Sequence, residues 1–206
     1  MFFRFLTYNK FKKRKWKRLT PEKRAQVYQQ LENIQAKKQK RDACRVVFRE
    51  MEETSNGVHI SAENKIQLNS KFVYRPEFRY YGMATLFHEG RHAFQYHAIT
   101  TKKKLGFFSK ARKWKKNFQG YTSSDQDAYS FYSMQPVERD ANLYAIRRMR
   151  RFRFRYRNDK LFANTLKDKE AQFDEVKNLA KKELGLFYGI RVALKNRKNR
   201  KKKGYD

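Results

Sequence analysis

Two histidines and a glutamate in one short segment carry the clearest chemical pattern in this chain, His88-Glu89-Gly90-Arg91-His92. Four residues of an α-helix turn through about 400°, so His88 and His92 differ in direction by about 40° and can direct two imidazole nitrogens to one ion. Glu89 lies about 100° from His88, beside such an ion but off the line of its ligands. A carboxylate there can accept a proton from a metal-activated water. The pattern therefore predicts a metal site in which Glu89 is the general base.

A third ligand has to come from another part of the chain. His97 lies five residues after His92, so a continuous helix turns it about 140° away. Glu138 and Asn142 lie one turn apart on a second predicted helix, where the carboxylate can bind the metal while the amide holds a ligand histidine through its other ring nitrogen. Asp140 points roughly 200° away from Glu138, towards solvent or a cap, and is the alternative ligand.

The elements before the histidine motif predict a helix and a hairpin. Thr20-Pro21-Glu22 combines a hydroxyl cap, a proline at the first helical position and an early acid, so a helix is expected from there to about Arg41. Residues 44–51 extend this helix or begin a second element. An Asn-Gly dipeptide at 56–57 predicts a turn. After it, the runs 58–60 and 66–68, each with two apolar residues, flank the short connection 62–64, which predicts an antiparallel hairpin.

The rest of the chain is predicted to be mostly helical. Together with the hairpin, this predicts an α+β fold class. The motif helix is expected over roughly 78–99, after a proline that disfavours helix at the residue before it. Residues 100–127 are basic and contain glycines, which predicts a loop or an irregular lid. A helix is predicted from Pro136 through the arginine and aromatic run 151–157, and a last helix over about 168–184.

The charge of the chain is concentrated in four blocks. The sequence has 51 Lys and Arg against 20 Asp and Glu, a formal net charge of +31. Blocks without any acid hold 8, 9, 7 and 8 of these cations, at residues 1–21, 90–124, 141–158 and 184–205. The remainder is nearly neutral. Such blocks attract polyanions through counterion release, so nucleic acid or another polyanion is a possible partner.

Composition also bounds the domain organisation. Aromatic residues make up 16% of the 206 residues, which excludes simple disorder. The single cysteine, Cys44, excludes an intramolecular disulfide framework. No apolar run approaches the roughly 18 residues of a membrane span, and the start lacks the apolar stretch of a secretory signal, so no transmembrane segment and a cytoplasmic setting are expected. One domain is predicted over 21–190, between a basic aromatic segment at 1–20 and a basic, disordered tail at 191–206.

The two motifs together resemble a known family. HExxH followed on a later helix by Glu-x-x-x-Asn is similar to the gluzincin branch of the zincin metallopeptidases. The string at 138–142, Glu-Arg-Asp-Ala-Asn, with Leu-Tyr-Ala after it, resembles the E-x-[DE]-A-N-x-[FY]-A signature of small intracellular metallopeptidases of phages and mobile elements. The resemblance covers about residues 58–149 and implies a zincin-like domain. It also implies a sheet, containing residues 66–68, whose edge borders the substrate cleft, and Zn²⁺ held by His88, His92 and Glu138 with Glu89 catalytic.

The predicted function is zinc-dependent hydrolysis of a peptide bond in a protein or peptide substrate. Glu89 accepts the proton of the activated water and passes it to the leaving amine. The group that stabilises the oxyanion is not fixed by spacing, and five candidates remain: Arg91, His97, Tyr121, Tyr129 and Tyr132.

Two other functions are alternatives. The first is a basic protein that binds nucleic acid or another polyanion on a zincin scaffold, with the run Arg151–Arg157 supplying phosphate contacts and base stacking. The second is a mobile-element effector or toxin, still a peptidase, whose target is a host protein. The presence of Glu89 between the two histidines favours the enzyme, because a scaffold has no need of that carboxylate.

Overall fold

A computed structural model of the chain describes residues 2–101, 108–122, 129–185 and 187–205. Most of these residues are helical and three short strands form a sheet, which confirms the predicted mostly helical α+β class. The chain contains two compact units, each built from two segments. The first unit comprises Met1–Phe94 and Tyr144–Lys167, and the second comprises Gln95–Leu143 and Asp168–Asp206.

The first unit opens with three helices, α1 (Phe2–Lys10), α2 (Lys13–Lys17) and α3 (Pro21–Gln39). Helix α3 starts where the sequence predicts, because the hydroxyl of Thr20 accepts the backbone N–H of Lys23 and a proline occupies the first helical position. The apolar side chains spaced three and four residues apart along α3 are buried, namely Val27, Leu31 and Ile34.

The basic aromatic segment at 1–20 belongs to the core of the first unit. Phe11 and Trp16 are fully buried, and their rings stack with centroids 4.9 Å apart. Both rings also meet the edge of Tyr28 on α3, at 5.4 and 5.6 Å. Aromatic pairs of this kind add to the free energy gained from burial. The segment therefore forms part of this folded unit, which the prediction of a separate segment did not anticipate.

A three-stranded sheet follows, formed by β1 (Arg45–Arg49), β2 (Gly57–Ile60) and β3 (Lys65–Asn69). Its order is β1-β3-β2, with β3 parallel to β1 and antiparallel to β2. The predicted hairpin is confirmed, and a single 3-10 turn closed by Asn64 in the left-handed conformation (φ 45°) connects its strands. Residues 44–51 do not extend α3. They contain the new element β1, which was the second of the two predicted possibilities.

The helix that carries the histidine motif lies close to its predicted position. After the short helix α4 (Lys71–Tyr74) and a 3-10 turn at Pro76–Phe78, helix α5 runs over Arg79–Thr100. The sequence predicts it over 78–99.

Helices α3 and α5 approach each other at two glycines of α5. A Cβ atom added to Gly82 would lie 2.3 Å from the hydroxyl of Tyr28, and one added to Gly90 would lie 1.6 Å from Nε2 of Gln35. Both distances are far below a van der Waals contact, so a Cβ fits at these positions only if the Tyr28 or Gln35 side chain moves. Gly90 lies inside the histidine motif, and this contact therefore fixes the motif against the first unit.

The remaining helices are α6 (Phe108–Gln119), α7 (Tyr129–Met134), α8 (Pro136–Arg150), α9 (Lys160–Leu184) and α10 (Tyr188–Lys202). Helices α5, α8 and α9 each contribute residues to both units. The second unit has its own apolar cluster, made of Phe131, Met134, Val176, Ala180 and Val192.

Helix α8 begins at Pro136 as predicted but ends sooner than predicted. Residues 151–158 form turns, with i to i+3 hydrogen bonds at Phe152 and Arg153, where the sequence analysis continued the helix. Helix α9 then starts at Lys160, well before the predicted start near residue 168.

Asp159 explains the break between α8 and α9. Its Oδ1 accepts the backbone N–H of Leu161 at 3.2 Å, which caps the new helix. Its Oδ2 accepts hydrogen bonds from Arg79 Nη2 at 2.7 Å and from the hydroxyl of Tyr80 at 2.9 Å, so the cap is anchored on α5. An aspartate cap preceded by turns is a recognisable helix start, and the run of alternating arginines and aromatics obscured it.

The predicted loop or lid at 100–127 contains helix α6 instead. Trp114 and Asn117, three residues apart, are buried on one side of this helix. The parts of the predicted lid at 102–107 and 123–127 lie outside the described residues.

The tail that was predicted to be disordered, 191–206, contains helix α10 instead. Val192 joins the apolar cluster of the second unit, and Asn196 and Arg200 are buried. A Cβ at Gly120 would lie 2.3 Å from the Asn196 carbonyl oxygen, so α10 packs directly on the end of α6. Composition alone obscured this helix, because long cationic side chains bury their methylenes while their charges reach solvent.

None of the helices in the described ranges has a stretch both long and apolar enough to cross a membrane.

The contact at Gly90 gives a direct test of the fold. We expect Gly90→Ala to lower the free energy of unfolding by about 1–3 kcal/mol, because the methyl group displaces the buried Gln35 amide. Gln35→Ala makes room for that methyl group, so the double variant should lose less than the sum of the two single changes. Urea denaturation measures all three.

Gly189→Ala is the matched control for Gly90→Ala. Gly189 lies in α10 with no atom within 4 Å of an added Cβ, so this variant should keep or slightly raise the free energy of unfolding. Equal effects of the two substitutions would show that the close approach of α3 and α5 does not constrain the motif.

Candidate metal centre

The two motif histidines converge on one point. Their Nε2 atoms lie 3.0 Å apart and their ring centroids 4.7 Å apart, both on the first-unit part of α5. His92 is buried and His88 half-buried. This is the arrangement that the four-residue spacing predicts for two imidazoles that share one ion.

Side chains from α3 and from the segment that follows it hold the motif backbone. Gln35 Nε2 donates to the carbonyl of Leu86 at 3.3 Å, and Arg41 Nη2 donates to the carbonyl of Gly90 at 3.1 Å. Arg41 is itself fixed by a buried ion pair with Glu32, whose shortest nitrogen to oxygen distance is 2.6 Å. Because a buried charge without its partner is costly, this pair keeps Arg41 against the motif.

Glu89 lies between these anchored carbonyls and is buried, with 7% of its surface exposed. Within the described part of the chain its carboxylate has no hydrogen-bond or ion-pair partner. Carboxylates with this degree of burial are normally paired. An unpaired one next to two converging imidazoles is available to bind and deprotonate a water.

Glu138 occupies the first turn of α8 and is almost completely buried, with 2% exposed. Its Oε1 accepts a 2.8 Å hydrogen bond from the hydroxyl of Tyr121. Burial, together with the neighbouring Glu138 carboxylate, raises the pKa of Tyr121 far above its ordinary value, so the hydroxyl keeps its proton and remains the donor. Tyr121, one of the five candidates for stabilising the oxyanion, thus donates to the predicted ligand Glu138.

A buried amide network fixes Tyr121 and Glu138 within the second unit. Gln135 Oε1 accepts from Asn117 Nδ2 at 3.1 Å and from the backbone N–H of Thr122 at 3.3 Å, while Gln135 Nε2 donates to the Thr122 carbonyl at 2.8 Å. Asn117 Oδ1 in turn accepts the N–H of Val137 at 2.9 Å. Gln135 therefore holds the backbone beside Tyr121, and Asn117 holds the first turn of α8.

His88, His92 and Glu138 form a group of potential metal ligands. Each offers one ligand atom, and these atoms all lie within 4.8 Å of one another. Two imidazole nitrogens and one carboxylate oxygen are a donor set that catalytic zinc sites use. The described residues add no fourth histidine, cysteine or carboxylate to the group.

The other predicted residues lie outside this group. Asp140 Oδ2 accepts a 2.9 Å hydrogen bond from Gln95 Nε2, which also donates to the carbonyl of Val137 at 3.0 Å. Asp140 is therefore half-buried and engaged rather than exposed to solvent. Asn142 is half-buried one turn further along α8, without a hydrogen bond in the described ranges, and its predicted hold on a ligand histidine stays a prediction. His97 is half-buried and does not join the group.

His59, on β2, was not among the residues predicted from the sequence. In a strand, alternate residues share a face, and a Cβ at Gly57 would lie 2.9 Å from Thr85 Cγ2 on α5, so the face of Gly57 and His59 is directed to the motif helix. Burial, with the positive charges of His92 and Arg41, lowers the pKa of His59 to about 4. His59 is therefore a neutral imidazole at pH 7. The predicted hairpin already contained this signal in its two-residue period.

Comparisons of the chain with protein-family models, with curated proteins and with solved structures gave no match. The resemblance to gluzincin metallopeptidases therefore stays a prediction from the two motifs. The assignment of a metal site depends on the chain's own residues and their arrangement.

The hydrogen bond from Tyr121 to Glu138 predicts a change in metal affinity. We expect Tyr121→Phe to weaken Zn²⁺ binding about 10-fold, because the ligand carboxylate loses the donor that orients it. Competition with a chromophoric chelator measures the affinity. Tyr129→Phe, at an exposed ring, is the control and should leave it unchanged. An unaltered affinity in Tyr121→Phe would contradict a role for Glu138 as a ligand held by Tyr121.

Proposed function

We propose that this chain is a zinc-dependent peptidase that hydrolyses a peptide bond with Glu89 as general base. The observation that carries the proposal is the grouping of His88, His92 and Glu138, with ligand atoms within 4.8 Å, next in sequence to the buried and unpartnered Glu89. A purely structural role for the two histidines would leave the burial of Glu89 without a reason.

The donor set favours a catalytic zinc site over a structural one. Structural zinc sites use four protein ligands and are rich in cysteine, whereas catalytic sites keep one position open. The only cysteine, Cys44, is buried, and burial with the neighbouring charge of Glu32 raises the pKa of its thiol to about 12. A protonated thiol engaged with Asn64 is not a zinc ligand. Three ligands with nitrogen and oxygen donors therefore leave room for water and substrate.

In the proposed reaction a water oxygen forms a bond to the carbonyl carbon and the carbon–nitrogen bond of the peptide breaks. A zinc ion held by His88, His92 and Glu138 would lower the pKa of the attacking water and polarise the carbonyl oxygen. Glu89 accepts one proton from that water on its carboxylate and delivers it to the departing amine nitrogen. Tyr121 keeps Glu138 oriented throughout.

An extended peptide is the substrate that the neighbouring sheet favours. Strand β2 is an edge strand in the order β1-β3-β2, and its Gly57 abuts Thr85, three residues before His88 on α5. Edge strands present free backbone N–H and C=O groups to which an extended segment can pair. A protein or peptide bound there would run beside the motif helix.

Two further expectations from the sequence stay predictions within this proposal. One is a cytoplasmic setting, which the single reduced cysteine favours. The other is a role as a mobile-element effector, for which the resemblance in the motifs is the support.

The proposed function predicts that replacing the Glu89 carboxylate strongly reduces the rate of cleavage. Glu89→Gln should reduce kcat for cleavage of an unstructured protein substrate by about 10²–10⁴-fold, because the amide cannot accept the proton. Zinc content should stay equal to that of the unsubstituted protein, since Glu89 is not a ligand. Mass spectrometry of peptides released over time measures the cleavage.

Glu175→Gln, at an exposed position of α9, is the control and should keep full activity. Cleavage by Glu89→Gln at the rate of this control would overturn the assignment of Glu89 as general base.

A further inference from the structure

The first unit has a cavity that the proposed peptidase reaction does not use. Its volume is about 530 Å³, within the range of small-ligand sites. The residues that line it come from the end of α1, the start of the α1–α2 connection and the turns before α9: Asn9, Lys12 and residues 154–159.

An exposed aromatic ring stands at this cavity. In the turns after α8 the two neighbouring aromatic residues are inside, with Phe152 7% and Tyr156 2% exposed, whereas Phe154 is 79% exposed. The guanidinium carbon of Arg157 lies 5.0 Å from the Phe154 ring centroid. A phenylalanine this exposed gains nothing from the core, and its open face is available to a flat ligand.

Three cations surround the cavity, Lys12, Arg155 and Arg157. Arg155 is held in place, because its Nη1 donates to Asn9 Oδ1 at 3.2 Å and its guanidinium carbon lies 5.8 Å from the ring centroid of Tyr8. Lys12 and Arg157 are exposed.

One acid, Asp159, also lines the cavity. Its carboxylate is already bound by Arg79 Nη2, by the Tyr80 hydroxyl and by the N–H of Leu161. The buried Arg79 compensates the charge of Asp159, so the cavity as a whole is cationic.

We propose that this cavity binds single-stranded nucleic acid, with a base stacked on Phe154 and the adjoining phosphates bound by Lys12, Arg155 and Arg157. Single strands offer both chemistries at once, an accessible base face and a closely spaced row of phosphates. A duplex keeps its bases stacked inside, and a flat anionic membrane contacts the exposed ring without filling a concave site. The proposal does not depend on the peptidase reaction, because none of its residues belongs to the metal centre.

Fluorescence anisotropy with a labelled DNA single strand of about 12 nucleotides tests the site on the full chain. We expect Phe154→Ala to weaken binding about 10-fold, because one stacked base is lost. An abasic strand of the same length should bind more weakly and should be insensitive to Phe154→Ala. Phe187→Ala, which removes another exposed ring, is the control and should leave binding unchanged.

The salt dependence separates this site from general attraction to a chain of +31. Lys12→Ala combined with Arg157→Ala should reduce the slope of log affinity against log salt by about 1.4, since each lost phosphate contact contributes about 0.7 for single strands. Arg147→Ala combined with Arg151→Ala removes two exposed charges from outside the cavity and should change the slope less.

Three results would each overturn the proposal. The first is an equal loss of affinity in Phe154→Ala and Phe187→Ala. The second is an equal change of salt slope in the two double variants, which would mean a diffuse electrostatic attraction. The third is binding to vesicles containing phosphatidylserine without binding to the single strand.

Discussion

The contact between α3 and the Gly90 backbone is the constraint on which the histidine motif depends. At this point the helices are so close that Gln35 fills the space a side chain at Gly90 would need, and Arg41 binds the Gly90 carbonyl at 3.1 Å. The charge of Arg41 is compensated by Glu32, fully buried on α3. Because a buried ion pair is costly to break, the position of the motif backbone is tied to the stability of the first unit. The rotation of α5, and with it the direction of His88 and His92, is thereby fixed.

In the second unit, neutral amide side chains hold the backbone around Glu138. Asn117 and Gln135 bind each other and the backbone on either side, so that the first turn of α8 and the chain beside Tyr121 are held by amides rather than by charges. The Glu138 carboxylate accepts a hydrogen bond from the neutral hydroxyl of Tyr121, which can orient a ligand carboxylate. In the first unit the cation that holds the motif backbone is Arg41, and its charge is compensated by Glu32. Elsewhere in the chain, Lys12, Arg155 and Arg157 gather around Phe154 and form a separate cationic cavity.

Periodicity and capping predicted much of the fold from the sequence. Thr20 and its following proline located α3, the two short runs at 58–60 and 66–68 located the hairpin, and the spacing of His88 and His92 correctly implied that their nitrogens converge. The predicted Asn-Gly turn is absent, because Gly57 is the first residue of β2. The choice of Glu138 over Asp140 rested on helical geometry, and the structure groups Glu138 with the histidines. The failures lie in the most basic segments. Helices α6 and α10 pack on each other through residues of segments whose many cations indicated a loop and a tail, and the cap at Asp159 was obscured by the preceding arginines and aromatics. His59 was not predicted because the two-residue period of the hairpin places it on one face of β2 but does not show that this face approaches α5.

The central claim is that His88, His92 and Glu138 hold one zinc ion, and elemental analysis with X-ray absorption at the zinc edge tests it most directly. The account predicts one zinc per chain in the purified protein, in a first shell of light nitrogen and oxygen donors at about 2.0–2.2 Å with imidazole scattering and no sulfur. It also predicts loss of the metal in His88→Ala and His92→Ala. A folded chain that contains no stoichiometric zinc, or that retains the same zinc signal after both histidines are replaced, would contradict it.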